Sequence, residues 1–206
     1  MRVLIIGAGG HGQVAADILL AMRDAGQKVT PAGFLDANPG LAGASVLGLP
    51  VLGHDADLRA TPHDAVLVAL GENNRRRRIF EDLKRAGERF ALAVHPTAVI
   101  GRDVQLSPGC MVCARAVVNT GARVGENCIL NTGCIVEHHN VIGPHAHIGP
   151  GAVLGGECVV GAEALVGLGA AVLPLVRIGE MAVVGAGAVV PKDVPDGAMV
   201  KGPAAR

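Results

Sequence analysis

A cluster of histidines is the most chemically suggestive feature of the chain. The segment EHHNVIGPHAH contains His138, His139, His145 and His147, half of the eight histidines in the sequence. A neutral imidazole accepts a proton near pH 7, so such a cluster suits general-base catalysis. Histidine is also a zinc ligand, and three ligands with an open fourth position form a catalytic metal site. Spacing does not determine ligand geometry, so both interpretations stay open here; we favour the general base and expect no metal.

A glycine-rich loop near the start offers a second kind of chemistry. The segment GAGGHGQ at residues 7–13 follows the apolar run 3–6 and fits the fingerprint G-x-G-x-x-G. Glycines permit a tight turn and a close backbone approach, and the N–H groups that begin the next helix attract phosphate. Asp36 ends the second predicted strand, where its carboxylate can accept hydrogen bonds from a ribose. The loop predicts a phosphate site for a dinucleotide or for something smaller.

The second half of the chain has a strict period of six. Every sixth residue from Ile100 to Val190 is Ile, Leu or Val, sixteen in succession, and Val94 extends the register backward. Four residues after each of these lies a mostly small residue. A helix would need a period of 3.6 and a simple strand a period of 2, whereas six is typical of a hexapeptide β-helix. Since three hexads form one triangular coil, the repeat predicts a left-handed parallel β-helix.

The part before the repeat alternates strands and helices. We predict strands at 2–6, 29–35, 65–70 and 90–94 and helices at 11–25 and from Gly71 to 85. This βαβαβ pattern predicts a parallel sheet, half of a Rossmann fold. A dinucleotide needs two such halves, so an NAD-linked oxidoreductase is disfavoured. We expect a nucleotide-sugar-binding Rossmann-like domain at 1–93 and a β-helix domain with a short C-terminal tail at 94–206.

Composition excludes several classes of partner. The 18 basic and 18 acidic residues give zero net charge, and hence no general attraction to nucleic acid or anionic membrane. We interpret Arg75–Arg78 as a solvated helix face, with Ile79, Phe80 and Leu83 turned to the core. The first apolar run is too short for a signal peptide or a membrane span. Five cysteines without a disulfide pattern favour the cytoplasm.

The hexad register also assigns the cysteines and histidines. Four cysteines take the small inward position, where free cysteine behaves as a small hydrophobe: Cys110, Cys128, Cys134 and Cys158. Cys110 and Cys113 form a C-x-x-C without a second pair, so we expect no metal or redox role. The four clustered histidines avoid the inward positions and should lie on outer faces or corners. The metal alternative is that of the β-helical carbonic anhydrases, which have no preceding nucleotide domain.

Several motifs along the whole chain carry a resemblance to a known family. They are GAGGHG in the first loop, FLD at 34–36, GENNRRRRIF at 71–80, HPTAVIG at 95–101, NTGCIVEHHNVIG at 131–143, and GAGAVVPKDVPDG followed by GPA near the end. With these motifs the chain resembles the bacterial sugar O- and N-acyltransferases. That family includes the sialic acid O-acetyltransferases and the nucleotide-linked amino-sugar N-acetyltransferases of bacillosamine and perosamine synthesis. The resemblance implies acetyl-CoA as co-substrate and a homotrimer.

Matched position by position, the resemblance implies roles for individual residues. His138 would be the general base, His147 would lie near the acetyl group, and the N–H of Gly156 would stabilise the oxyanion. Contacts to the nucleotide sugar are implied for Gly9, Gly10, His11, Asp36, Gly71 and Asn73. The family often has Glu or Asp directly after the base. This chain has His139 there, and Glu137 is no obvious substitute.

Spacing adds one inference and leaves three functions. His138 and His147 are nine residues apart, half a coil, so a site that uses both would form between neighbouring subunits. The preferred function is acetyl-CoA-dependent N-acetylation of a nucleotide-linked amino sugar for surface glycan synthesis, by direct transfer. O-acetylation of sialic acid or a related sugar is the alternative. A non-catalytic, nucleotide-binding trimeric scaffold is the third.

Overall fold

The computed structural model describes residues 1–202, in two compact units. The first unit ends at Pro96 and the second begins at Thr97. Within the described chain, no helix combines the length and the apolar character that crossing a membrane requires.

The first unit contains a five-stranded sheet, two helices and a sixth, short strand outside that sheet. Its elements are β1 (Arg2–Ile6), α1 (Gly10–Asp24), β2 (Thr30–Leu35), β3 (Ser45–Val46), β4 (Leu49–Gly53), β5 (Ala65–Val68), α2 (Asn73–Arg85) and β6 (Ala93–Val94), with short 3₁₀ helices at Pro39–Leu41 and Asp55–Ala60. The strand order is β3-β4-β2-β1-β5. All neighbours pair in parallel except β3 and β4, which are antiparallel. The predicted α/β half-Rossmann arrangement is confirmed.

Two details differ from the sequence prediction. The hairpin of β3 and β4 was absent from it, because the turn is made by Leu47 and Gly48, with φ of 50° and 74°. Tight hairpin turns with two left-handed residues are usually signalled by Asn-Gly or Asp-Gly, and leucine gives no such signal. The predicted strand at 90–94 is shorter, since Phe90 forms only an isolated bridge with Val66 before β6.

The core of this unit lies against the strands and the amphipathic helix α2. Leu4, Ile6, Leu35, Leu58 and Val66 form a buried cluster, against which Ile79, Leu83 and Phe90 are partly buried. Burying such side chains contributes about 1.5–3 kcal/mol each. The sheet therefore has an apolar support that fixes the loops at the carboxyl ends of β1, β2 and β5.

The second unit is a left-handed parallel β-helix of two-residue strands arranged in three faces, as predicted. Face 1 contains β7 (Val99–Ile100), β10 (Val117–Val118), β13 (Ile135–Val136), β16 (Val153–Leu154), β19 (Ala171–Val172) and β22 (Val189–Val190). Face 2 contains β8 (Gln105–Leu106), β11 (Arg123–Val124), β14 (Val141–Ile142), β17 (Val159–Val160) and β20 (Arg177–Ile178). Face 3 contains β9 (Met111–Val112), β12 (Ile129–Leu130), β15 (His147–Ile148), β18 (Leu165–Val166), β21 (Val183–Val184) and β23 (Met199–Val200).

Each corner between faces contains one residue in the left-handed conformation. These residues recur every six positions from Asp103 to Gly187, and the non-glycine members include His139 and His145, with φ of 57° and 63°. A non-glycine residue with such a φ costs on the order of 1 kcal/mol or more. The ladder of hydrogen bonds between coils compensates for this, as in the Val141 N–H donating to the Cys158 carbonyl at 2.9 Å.

Candidate active site

A cavity of about 350 Å³ lies at the carboxyl end of the first-unit sheet. It is lined at one end by the residues that start α1, which include Gly9, Gly10 and His11. Gly9 caps α1 without a side-chain hydrogen bond. The first N–H groups of a helix have no acceptor within the helix, so this end attracts an anion such as phosphate.

The glycine pattern of the loop has a steric reason. Gly7 has φ of 102°, a conformation that side chains disfavour. A Cβ on Gly12 would lie 2.0 Å from the carbonyl oxygen of Gly7, so a side chain there would force α1 away from β1. Gly9 and Gly10 have open space beside them, and both are exposed in the cavity wall. The loop is thus closed tightly on itself and open toward the cavity.

Two carboxylates also line the cavity, those of Asp36 and Asp55. Asp36 braces the glycine loop, because its Oδ2 accepts the Ala8 N–H at 2.7 Å and its Oδ1 the Asn38 N–H at 2.8 Å. Asp55 is different: its Oδ1 is buried and has no hydrogen-bond partner within residues 1–202. Burial, with a smaller contribution from Asp36, raises the pKa of Asp55 although His54 and Arg75 oppose the shift. No motif in the sequence marks Asp55.

The loop after β5 is fixed by Arg76. The guanidinium Nη1 donates to the Leu70 and Gly71 carbonyls at 3.0 and 3.4 Å, and Nη2 donates to Asn73 Oδ1 at 2.9 Å. Arg76 is only 1% exposed, so the interpretation of the whole arginine run as a solvated face is wrong for this residue. Its guanidinium is buried because three carbonyl-type acceptors converge on it. Asn73 therefore holds Arg76 and is not among the residues that line the cavity.

Gly71 and His11 meet across the cavity wall. A Cβ on Gly71 would lie 2.4 Å from Cδ2 and 2.7 Å from Nε2 of His11, so only glycine leaves room for the ring. Burial and, to a smaller extent, the nearby charge of Arg76 lower the pKa of His11. The ring is therefore neutral at pH 7 and can serve as a polar, uncharged contact.

In the β-helix, His138 and His139 lie at one corner between faces 1 and 2. Both are exposed, and their Nδ1 atoms are 3.1 Å apart. A Cβ on Gly156, one coil further on, would lie 2.6 Å from both Cε1 and Nε2 of His138. A Cβ on Gly121, one coil before, would lie 2.7 Å from Cδ2 of His139. The two rings thus point in opposite directions, each over a glycine of a neighbouring coil.

Asn140 fixes the corner from inside. It occupies the small inward position, fully buried, and its Nδ2 donates to the Glu137 carbonyl at 2.7 Å and the Gly155 carbonyl at 2.8 Å. The bond to Glu137 lies within the segment that carries the histidines, and the bond to Gly155 ties that segment to the coil that contains Gly156. The hexad register places Asn140 correctly but does not indicate this role, which depends on which carbonyls turn inward.

His145 lies at a corner and His147 on face 3, as the register predicts. Both side chains are nevertheless buried, with 5% and 8% exposure. His145 Nδ1 is 2.9 Å from Asn127 Nδ2, and His147 Nε2 is 3.0 Å from Asn131 Nδ2. A side chain at an outward position of the register is therefore not always exposed to solvent. His138 and His147 lie on different parts of the triangle within one chain, as the half-coil spacing indicates.

The thiols are shielded. All five cysteines are free and buried. Burial raises the pKa of both Cys113 and Cys134 to about 12, so these thiols stay protonated and are poor nucleophiles. Within residues 1–202 no group of three or more His, Cys, Asp or Glu side chains could hold a metal ion. Of the four clustered histidines, only His138 and His139 are exposed to solvent.

Comparison with known proteins identifies the family of the chain. The PglD N-terminal domain family matches residues 2–83. PerB from Caulobacter crescentus, solved in complex with CoA and GDP-perosamine, is 36% identical, with a TM-score of 0.88 over 98% of this chain and 94% of that one. The chain belongs to the hexapeptide-repeat sugar acyltransferases. No curated protein sequence matches it.

Two further members of this acyltransferase family have closely similar structures. The acetyltransferase domain of PglB from Neisseria gonorrhoeae FA1090, in complex with acetyl coenzyme A, is 33% identical with a TM-score of 0.88, covering 98% of this chain and 96% of that one. WeeI from Acinetobacter baumannii AYE is 27% identical with a TM-score of 0.86, covering 98% and 97%. The similarity extends over both units, so the acyltransferase has the full architecture of these relatives.

Proposed function

We propose that this acyltransferase transfers the acetyl group of acetyl-CoA to the amino group of a nucleotide-linked sugar in the cytoplasm, for surface glycan synthesis. The observation that carries the proposal is the whole-chain similarity to a perosamine N-acetyltransferase solved with CoA and GDP-perosamine. The cavity of the first unit and the exposed histidine pair of the second supply the two kinds of chemistry that such a reaction needs.

The first unit binds the nucleotide part of the substrate. Gly9 and Gly10 at the N-terminus of α1 bind phosphate, and the neutral ring of His11 lies beside them. Asp36 and Asp55 accept hydrogen bonds from the nucleoside, with Asp55 offering the oxygen that has no protein donor. A cavity of about 350 Å³ suits one nucleotide, which agrees with the half-Rossmann architecture.

The second unit performs the transfer. Nε2 of His138 takes a proton from the sugar amine as the nitrogen attacks the thioester carbonyl of acetyl-CoA. The C–N bond forms and the C–S bond breaks, and the proton passes to the departing CoA thiolate. The Gly156 N–H, which donates to no acceptor within residues 1–202, stabilises the oxyanion, and His147 lies near the acetyl group. A thioester is already activated, so no enzyme nucleophile is required.

The proposed assembly is a homotrimer with active sites between subunits. The outward positions of face 1 are all apolar: Val99, Val117, Ile135, Val153, Ala171 and Val189. Val99, Val153 and Val189 are 59%, 38% and 67% exposed. Exposed apolar surface of this extent is typical of a protein–protein interface. The interface of a cyclic trimer joins two different surfaces, so it can bring His138 of one subunit near His147 of the next.

The experiment is a panel of UDP-, GDP- and dTDP-linked amino sugars incubated with acetyl-CoA, with free thiol as the readout. The proposal predicts thiol release that depends on one of these sugars and that falls by about 10²- to 10⁴-fold in His138→Ala. Thiol release with free sialic acid instead would indicate the O-acetyltransferase. Nucleotide binding without any thiol release would indicate the scaffold.

The assembly has its own test. Light scattering or analytical ultracentrifugation should give three chains per particle. Replacing an exposed face 1 residue, as in Val153→Glu, should reduce the assembly and the activity together. An active monomer would contradict the shared site.

A further inference from the structure

We infer that His139 is the positioning residue of the catalytic base: its neutral Nδ1 accepts a hydrogen bond from His138 and so holds His138 in the tautomer that leaves Nε2 free. This inference rests on the proposed role of His138. It assigns a function to a position at which the sequence departs from its family, where a carboxylate is usual.

The geometry limits the pair to two arrangements. With Nδ1 atoms 3.1 Å apart, one nitrogen must carry the hydrogen and the other must accept it. If His138 donates, its Nε2 holds a lone pair and can act as a base. If His139 donates, a neutral His138 carries its hydrogen on Nε2 and cannot take a proton from a substrate. Catalysis therefore requires His139 as the acceptor.

The surrounding corner supports the pair without competing for it. Gly121 and Gly156 leave the space in which the two rings lie, and Asn140 anchors the segment through the Glu137 carbonyl. Neither His138 nor His139 has another side-chain hydrogen bond within residues 1–202. Three corner segments are stacked here. The segment 137–140 contains one carboxylate, Glu137, and the corner segment of the next coil contains one, Glu157. The corner segment of the preceding coil, 119–122, contains none.

Proton transfer is compatible with this arrangement throughout. When Nε2 of His138 takes the substrate proton, the ring becomes an imidazolium whose Nδ1–H still donates to His139. Nε2 then returns the proton to the thiolate, and His139 neither gains nor loses one. A protonated His139 would instead become the donor at Nδ1 and would switch the base off. Both imidazole rings must be neutral for activity. An aspartate at position 139 would accept the hydrogen bond as an ionised carboxylate, so only His138 would then have to be neutral.

The test uses variants that all accept the left-handed backbone of position 139. Glycine and asparagine both tolerate a φ near 57°, but only asparagine offers an acceptor. His139→Gly should lower kcat about tenfold, the value of one hydrogen bond, with KM for both substrates unchanged. His139→Asn should restore most of that loss. Asp103→Gly, a left-handed residue of the same corner two coils earlier, is the matched control and should leave kcat unchanged.

Two readouts separate positioning from a merely structural role. ¹⁵N NMR of histidine-labelled protein should show His138 protonated at Nδ1 at pH 8, and this signature should weaken in His139→Gly. The acid limb of log kcat/KM against pH should be steeper in the wild type than in His139→Asn by one unit of slope, because the variant has one imidazole fewer that must be neutral, whereas the protonation of the substrate amine affects both enzymes equally. A His138 protonated at Nε2, or equal slopes, would overturn the inference.

Failure of the proposed function and failure of this inference give different results. Full activity of His138→Ala would remove the base on which the inference depends. Inactive His138→Ala together with fully active His139→Gly would leave the proposed function intact and reject the positioning role alone.

Discussion

The ring of His138 occupies the space in which a side chain at Gly156 would lie, since a Cβ there would be 2.6 Å from both Cε1 and Nε2. The two residues are stacked one coil apart, so the glycine determines where the ring of the proposed base can lie. This relationship gives a steric reason for a glycine beside His138. It also makes the position of the base testable without changing the base itself.

Gly156→Ala should displace the ring of His138 and lower kcat by up to about 10²-fold, since small misplacements of a reacting group have effects of that size. Gly156 does not have a left-handed φ, so its backbone accepts alanine. KM for the nucleotide sugar should be unchanged, because the cavity of the first unit is not altered. Wild-type kcat in a correctly assembled variant would show that the ring does not act from this position.

Gly71→Ala should have the complementary effect. Its Cβ would lie 2.4 Å from Cδ2 of His11 and would displace the ring within the cavity of the first unit. We expect KM for the nucleotide sugar to rise about tenfold or more while KM for acetyl-CoA stays constant, the loss of one good contact being worth this much. Steady-state kinetics with each substrate varied in turn measure both values. The two glycine variants serve as controls for each other, because each should change a parameter that the other leaves alone.

The repeating half of the molecule could be predicted from the sequence more completely than its site. The hexad register follows from the period of aliphatic residues alone, and it placed four of the five buried cysteines correctly; Cys113 lies outside the inward positions and is buried as well. The roles of residues that bind backbone carbonyls could not be predicted: the register places Asn140 at a small inward position without indicating its bonds, and Arg76 was interpreted as part of a solvated helix face. Their roles depend on where carbonyl groups of distant segments converge, which side-chain patterns do not encode. Asp55 was missed for a similar reason, since only the folded cavity leaves its oxygen without a donor.

Asp55→Asn should make the protein more stable and its nucleotide site weaker. Burial raises the pKa of this carboxyl, so the folded state favours its protonated form. Ionisation of Asp55 therefore lowers the free energy of unfolding, and this loss is complete above the folded-state pKa. The loss shrinks as the pH falls through the folded-state pKa and is absent below the unfolded value of 3.8. The neutral amide removes the cost at pH 7.

The two effects are measured separately. Thermal unfolding at pH 7 should give a higher Tm for Asp55→Asn than for the wild type, and isothermal titration should give a nucleotide-sugar Kd about tenfold higher or more, the value of a hydrogen bond to a charged acceptor. Asp57→Asn, which lies on the same 3₁₀ helix but outside the cavity lining, should leave the Kd unchanged. A lower Tm with an unaltered Kd would make Asp55 a structural residue.

The stability of the first unit should depend on pH through His63 and Glu88. Nε2 of His63 is 3.0 Å from Glu88 Oε2, its Nδ1 is 2.7 Å from the Thr61 carbonyl oxygen, and the side chains are 10% and 21% exposed. Burial acts to lower the pKa of His63, but the hydrogen bonds to Glu88 and Thr61 and the charges of Glu88 and Asp64 outweigh it, so the pKa is raised.

Because the folded-state pKa of His63 lies above the unfolded value of 6.5, the pair stabilises the fold fully below pH 6.5 while Glu88 is ionised, and this contribution is lost as the pH rises through the folded-state pKa. Glu88→Gln should therefore lower Tm by about 2–4 °C at pH 6, the effect of about 1 kcal/mol, and by much less at pH 9. The matched control is Asp82→Asn, which removes an exposed ion pair to Arg85 whose side chains are 68% and 73% exposed, and it should change Tm little at either pH. A Glu88→Gln deficit that is equal at both pH values, or larger at pH 9, would mean that the charged form of His63 is not what Glu88 stabilises.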